Sequence, residues 1–277
     1  MPRGRRIRRR GRRRRGSGVP RWSRSRRWWS RGLRSKNTNG RTLSIRTFVR
    51  KIERVSTGIS IDVADGRRAR GDASRRQVLA AAVDLASVEG LDQLSIARIA
   101  DAASVSKSGV ATLFGSKERL QLATVEAARL RFVETVVEPA RELPRGLGRV
   151  LALADRWIAY SRGRVFPGGC FFAEAAADFD AKPGPVRDAI DHALADWSGY
   201  LAASLGHARS LGELPALDDP DQLAFEFNAL LDLANRDSVM RGSNASYARA
   251  RRGIVARLRA VGADPAAVDV FAAVSDA

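Results

Sequence analysis

VSKSGVATLFGSKERL, residues 105–120, holds a run of two helical turns, then Gly115-Ser116-Lys117-Glu118, then the opening of another helix. Val110 and Phe114, four apart, give the first piece one apolar edge. Its opposite edge, Lys107, Ser108, Gly109 and Thr112, is small and polar, and a core is not built from such residues. Small side chains let a helix backbone approach a groove closely, where hydroxyls and an amine can meet phosphates and base edges. Ser106 and Ser116 stand where N-caps belong, and the helix N-terminus after Ser116, with Lys117 beside it, is a ready phosphate site. A plainer reading stays open here. Ser106 and Ser116 would cap helices in any helical protein, and Lys117 would be an ordinary surface lysine. Residues 71–121 carry six basic and six acidic side chains, so the segment is not a basic patch in bulk.

Working upstream, Ser74-Arg75-Arg76-Gln77 has the spacing of a capping box. The run after it places Val78, Ala81, Ala82 and Leu85 on one helical face, and Gly90 ends it as a C′ residue would. Ser95 opens a short helix with Ile96, Ile99 and Ala100 inward, and Ser104-Val105 makes the break. Helices of roughly 16, 8 and 8 residues with a tight link between the last two describe a helix-turn-helix unit.

The text VLAAAVDLASVEGLDQLSIARIADAASVSKSGVATLFGSKERL, within residues 74–125, resembles the N-terminal DNA-binding domain of TetR/AcrR-type transcriptional regulators. Gly90, Ser95, Ile99, Ala100, Val105, Ser106, Phe114, Ser116, Lys117, Glu118 and Leu120 carry the resemblance, and Phe114 to Leu120 is its most specific piece. Three positions depart from the family pattern. Ser104 replaces the turn glycine, Ala111 replaces an aromatic near the end of the recognition helix, and Leu113 replaces a common His. The resemblance implies an all-α protein: a three-helix DNA-binding domain at residues 71–121 and a helical ligand-sensing and dimerisation domain at 122–277. It implies that Ser95, Arg98, Ser106, Lys107, Ser108, Gly109, Thr112 and Lys117 contact a double-stranded DNA operator. Arg67, Arg68 and Arg70 would follow the minor groove as a flexible arm.

The region after residue 122 reads as helices throughout. A long helix from about Lys117 to Pro139 would join the two domains. LGRVLALADRWIAYSRG, PGGCFFAEAAADFD, PVRDAIDHALADWSGYLAASLG, DDPDQLAFEFNALLDLANRDSVMRG and SYARARRGIVARLRAVG follow. Leu223, Phe227, Leu230, Leu231 and Ala234 form one face of the penultimate long helix, and Phe225, Ala229 and Leu233 a second. A helix apolar on two sides must bury both. The resemblance implies that the last two long helices pair with a second copy, and the first of these faces is assigned to that homodimer. Two-fold symmetry then matches a palindromic operator, with half-sites about 34–36 Å apart or a multiple of it. The resemblance also places an unidentified small-molecule inducer in the body. Trp157, Tyr160, Phe166, Cys170, Phe172, Phe179 and Trp197 are the side chains that could line its pocket, although aromatics at helical spacing are more often core.

Charge is distributed very unevenly. The net charge of +19 arises entirely in residues 1–70, which hold 25 Lys+Arg against 3 Asp+Glu; the rest carries 24 against 27. That first segment, nearly all Arg, Gly, Ser and Trp, is expected to be a disordered basic extension. It admits three readings: a nucleic-acid-binding arm in which Trp22, Trp28 and Trp29 stack on bases, an inert tail, or a translated leader from a misplaced start codon. The third is preferred, because GC-rich DNA read in an unselected frame yields such text; with Met1 and Met240 the only methionines, a later start would need a non-Met codon, and Val55 or Val63 is a candidate. An alternative function, non-specific RNA or DNA binding, would act through this extension.

The single cysteine, Cys170, excludes an intrachain disulfide and suits a cytoplasmic protein, and no apolar window is long enough for a membrane span. His192 and His207 lack metal-site spacing. There is no phosphate loop or nucleophile elbow. The sequence therefore points to no enzyme, metal or cofactor.

Overall fold

The computed structural model describes residues 66–273, with side chains from residue 71 onward, and they belong to one compact unit. Among the described residues every regular element is helical. The first three helices are α1 (Gly66–Glu89), α2 (Ile96–Ala102) and α3 (Lys107–Phe114). The body follows with α4 (Lys117–Phe132), α5 (Glu138–Arg141), α6 (Leu147–Arg162), α7 (Phe171–Phe179), α8 (Pro185–Ser210), α9 (Pro220–Arg241), α10 (Ala245–Ala260) and α11 (Pro265–Ala272).

Three serines start helices as their positions require. The side chains of Ser95, Ser106 and Ser116 accept the backbone N–H of Arg98, Gly109 and Arg119 at 3.3, 3.0 and 3.2 Å, each satisfying one of the donors a helix start leaves unpaired. The Ser74 capping box is a correction. Helix α1 begins at Gly66, so the boundary at residue 71 cuts through it, and Arg67, Arg68 and Arg70 stand on helical backbone, not in a flexible arm. Arginine and alanine are good helix formers and no proline interrupts them. The rest of the expected extension, residues 1–65, lies outside the described residues. So do its Trp22, Trp28 and Trp29 and both candidate start sites.

Freed from capping, Gln77 and Arg75 serve other helices. Gln77 Nε2 donates to the Ala103 carbonyl at 2.7 Å, at the end of α2. Arg75 Nη1 donates to Leu113 O at 3.2 Å, near the end of α3, and its guanidinium lies over the Phe114 ring. Donors and positive charge at helix C-termini offset the carbonyls left unpaired there. Helix α1 thereby fixes the other two.

Helices α4 and α5 form the expected connecting rod, joined through a π-helical turn at Val133–Val137. The Glu138 N–H bonds to Val133 O, five residues back. Pro139 has no N–H to give, and widening the turn before it carries the rod past a residue that would otherwise break it. Rod and α6 pack together, and α8 lies against both. Helices α9 and α10 pair closely: a Cβ on Gly253 would come within 2.9 Å of Leu230. Helix α11, which the sequence reading passed over, docks on α6 and α10. Arg251, 3% exposed, holds it there by donating to Phe271 O at 3.1 Å and pairing with Asp155 on α6 at 2.9 Å. No helix among the described residues is long and apolar enough to cross a membrane.

Candidate nucleic-acid interface and its coupling to the body

Helix α3 is held by its apolar edge and by Arg75 at its C-terminus. Val110 and Phe114 are buried, while Ser106, Lys107, Ser108, Ala111 and Thr112 are exposed and Gly109 is half-buried. The hydroxyls are locally engaged: Ser106 Oγ and Ser108 Oγ lie 3.2 Å apart, and Thr112 Oγ1 donates to Ser108 O at 2.8 Å. Ser108 and Thr112 keep lone pairs for an outside donor, while Ser106 already accepts the Gly109 N–H. Lys107 has no ion-pair partner among the described residues and is the free cation of this edge. The turn before α3 holds its shape without glycine. Ser104, exposed, adopts φ +52°, in the left-handed region where a Cβ costs energy.

The other two cations of the expected set are engaged. Arg98 pairs with Glu89 at the end of α1. Lys117 donates to the Asp92 carbonyl at 2.6 Å and lies 3.7 Å from its carboxylate. Ser95, Arg98, Ser106, Lys107, Ser108, Thr112 and Lys117 are all exposed.

The expected pocket residues fall into a packed aromatic cluster. Tyr160 meets Phe132, Trp157 and Phe166 at centroid distances of 5.3, 6.0 and 5.5 Å; Phe132 also meets Phe172 and Trp197 at 6.3 and 5.2 Å. Phe171 joins Phe166 to Phe172. All but the tilted Phe166–Phe171 pair are edge-on, the arrangement aromatic quadrupoles favour. Phe132 and Phe171, the links of the cluster, were missed. Phe132 continues the Val125, Ala128 spacing of α4 and was legible there. Phe179 stands apart from these rings, with the Lys182 amine 5.3 Å from its centroid. Cys170 is buried and desolvation pushes its thiol up, away from reactivity. Beside it the Tyr160 hydroxyl is buried and raised well above its ordinary value by desolvation, with the Cys170 thiol as its hydrogen-bonding neighbour; the buried Tyr200 hydroxyl on α8 has no partner.

The Pro167-Gly-Gly-Cys170 turn ties this cluster to two other parts of the molecule. The Gly168 N–H donates to Ser87 Oγ on α1 at 3.1 Å, and a Cβ at 168 would overlap the Ser87 carbonyl. Gly169, at φ +96°, lies against α9, where a Cβ would come within 2.5 Å of Asn235 Oδ1. That Oδ1 accepts the Cys170 N–H at 2.9 Å and the Ser161 hydroxyl at 2.7 Å. Only glycine allows either approach. Arg131 on α4 adds a further tie to α1, pairing with Asp84 at 2.6 Å.

The assigned dimer face is a second correction. Leu223, Phe227, Leu231 and Ala234 are 0–2% exposed and Leu230 is half-buried against α10, so this face is protomer core. The exposed apolar stripe of α9 is the other one: Phe225 at 68%, Leu233 at 49%, Met240 at 79%, with Ala229 between them. Periodicity identified both faces; it could not say which one α8 and α10 cover.

Residues 78–124 match the family described as bacterial regulatory proteins, tetR family, and residues 146–254 match the tetracyclin repressor-like C-terminal domain. The chain belongs to the TetR family. As TetR-family members do, it carries a helix-turn-helix DNA-binding domain ahead of a helical C-terminal domain. Solved structures share the fold. A TetR transcriptional regulator from Chloroflexus aurantiacus J-10-FL is 22% identical, with 69% of this chain and 96% of that one aligned at a TM-score of 0.64. SCO4454, a TetR-family regulator from Streptomyces coelicolor, is 22% identical over 68% of this chain and 89% of its own, at 0.59. AibR, solved with isovaleryl coenzyme A and operator DNA, is 21% identical over 59% and 86%, at 0.51. Among curated proteins no sequence matches the chain.

Proposed function

We infer that this TetR-family regulator is a ligand-responsive repressor that binds a palindromic operator as a homodimer. The observation that carries the reading is the outward edge of α3: Ser106, Lys107, Ser108 and Thr112 face solvent while Val110 and Phe114 anchor the helix. Those side chains enter the major groove of double-stranded DNA. Ser95, Arg98, Gly109 and Lys117 flank them, the last beside the helix N-terminus where a phosphate is favoured. The DNA-binding domain ends at residue 121, one turn into α4, and the ligand-sensing and dimerisation domain is residues 122–277; the protein acts in the cytoplasm, where its operator is.

The dimer forms through the exposed stripe of α9. Phe225, Ala229, Leu233 and Met240 repeat along one side of a 22-residue helix, and a second copy would remove that stripe from water. A small, largely apolar inducer binds in the aromatic cluster of the body. Its support is the buried, unpartnered hydroxyl of Tyr200 on α8, the helix that brings Trp197 to the cluster, since an orphaned buried polar group costs free energy that a ligand's acceptor would recover. AibR, seen with both an acyl-coenzyme A and its operator, has the same architecture. The inducer lowers operator affinity by binding the two conformations with different strength.

Selection of bound sites from a random DNA pool, with the full chain and with the chain lacking residues 1–65, tests the reading. Both should enrich one palindrome, and the shorter chain should show a smaller salt slope. Loss of all DNA binding in the shorter chain would instead assign the activity to the basic extension.

A further inference from the structure

The first three helices and the body share one carboxylate. Asp92, in the loop between α1 and α2, accepts Lys182 of the α7–α8 loop at Oδ2, 2.9 Å, while Lys117 at the start of α4 lies 3.7 Å from Oδ1. The Asp92 N–H donates to Asp178 Oδ2 on α7 at 3.2 Å, and its carbonyl accepts Lys117 at 2.6 Å. Backbone bonds therefore pin the loop whatever the Asp92 side chain does. One proton of the Lys117 ammonium is committed to that carbonyl, and the other two are shared between the carboxylate and whatever lies outside. The Lys182 hydrogen bond, opposed by some desolvation and aided by the charges of Lys182 and then Lys117, holds the Asp92 carboxyl below its ordinary range. Lys182 also feels Asp178 and Asp180.

Two cations thus compete for one anion. Lys117 is the one that sits beside exposed N–H groups at a helix start, where a DNA phosphate is held. Whichever charge neutralises Asp92 decides how strongly Asp92 holds the other.

We propose that Lys182 is a positioning residue for DNA binding: by neutralising Asp92 it leaves the Lys117 ammonium to a backbone phosphate. A shift of the α7–α8 loop that withdraws Lys182 turns Asp92 onto Lys117 and weakens the grip on DNA. The proposal rests on the DNA-binding reading above and supplies it with a route from body to DNA, because Lys182 follows α7 directly and α7 opens in the aromatic cluster at Phe171 and Phe172.

Fluorescence anisotropy with the full chain tests it, using the duplex that the wild type selects and a mixed-sequence duplex. Lys182→Gln should weaken binding about three- to tenfold, a range typical of linked charge effects. Asp92→Asn in the Lys182→Gln background should restore wild-type affinity, and Lys182→Arg should keep it. Lys117→Gln should reduce the salt slope by about one and make a further Lys182→Gln change silent. Melting curves of each variant guard against misfolding, and Asp92→Asn retains both backbone bonds. Equal cost of Lys182→Gln in the Asp92→Asn or Lys117→Gln background overturns the proposal, since Lys182 would then touch DNA itself or merely brace the fold. A wild type that binds neither duplex overturns the DNA-binding reading along with it.

Discussion

Ser104 carries the turn of the helix-turn-helix at φ +52° with a side chain that gains nothing there, being exposed. Ser104→Gly should therefore stabilise the fold by about 0.5–1 kcal/mol, the relief of left-handed strain less the added freedom of the unfolded glycine; urea denaturation reads it. Asp232 is a second residue out of balance. It lies on α9 between Asn228, which accepts Trp197 Nε1 at 2.8 Å, and Asn235, which accepts the Cys170 N–H. Although the residue as a whole is exposed, desolvation pushes its carboxyl up to about 6. A folded-state value above the unfolded one stabilises fully below about pH 4 and is lost as pH rises through about 6. Asp232→Asn does not titrate, so its melting temperature should gain on the wild type between about pH 4 and pH 7. An offset that stays constant with pH would show that the carboxyl is solvated like any surface aspartate.

At the scale of elements, α9 buries one apolar face and leaves another in solvent. Phe225→Asp should leave a folded protomer that sediments as a monomer, because the ring is 68% exposed and an added charge there forbids a dry contact. Phe227→Ala should instead cost about 3–5 kcal/mol of protomer stability in urea, since Phe227 is fully buried. The sequence revealed both apolar faces of this helix but not their order, because hydrophobic period reports only that a face is hidden. The same limit explains the aromatics: Trp157, Tyr160, Phe166, Phe172 and Trp197 were legible as large and apolar, and their meeting around Tyr160 and Phe132 was not. Caps were legible in the local pattern, Ser74 excepted, because its helix starts eight residues earlier at Gly66. Ser95, Ser106 and Ser116 act on residues three places ahead, whereas Gln77 and Arg75 act across 26 and 38 residues, beyond any local pattern.

For the whole molecule, the Gly168-Gly169 turn is where α1, α9 and the aromatic cluster converge. The sequence displayed this motif without revealing a purpose, since close approach by a distant backbone leaves no trace in spacing. Gly168→Ala should cost about 2–3 kcal/mol through overpacking against Ser87. Part of the loss should appear as α1 pushed away from the turn, read as faster amide exchange in the second half of α1 while α10 keeps its protection. Uniform loss across all helices would make the turn a mere packing point. The body thus touches α1 at this turn and the loop after α1 at Asp92, and both contacts stem from one stretch, residues 166–182.

The rod of α4 and α5 owes its passage past Pro139 to a turn with one residue more than an α-helix needs. If the surplus residue were taken up into ordinary helical winding, everything before it would advance by about 1.5 Å and rotate by about 100° relative to α5. Pro139 forbids that rewinding, so the proline fixes the phase of the helix that begins at Lys117 relative to α5.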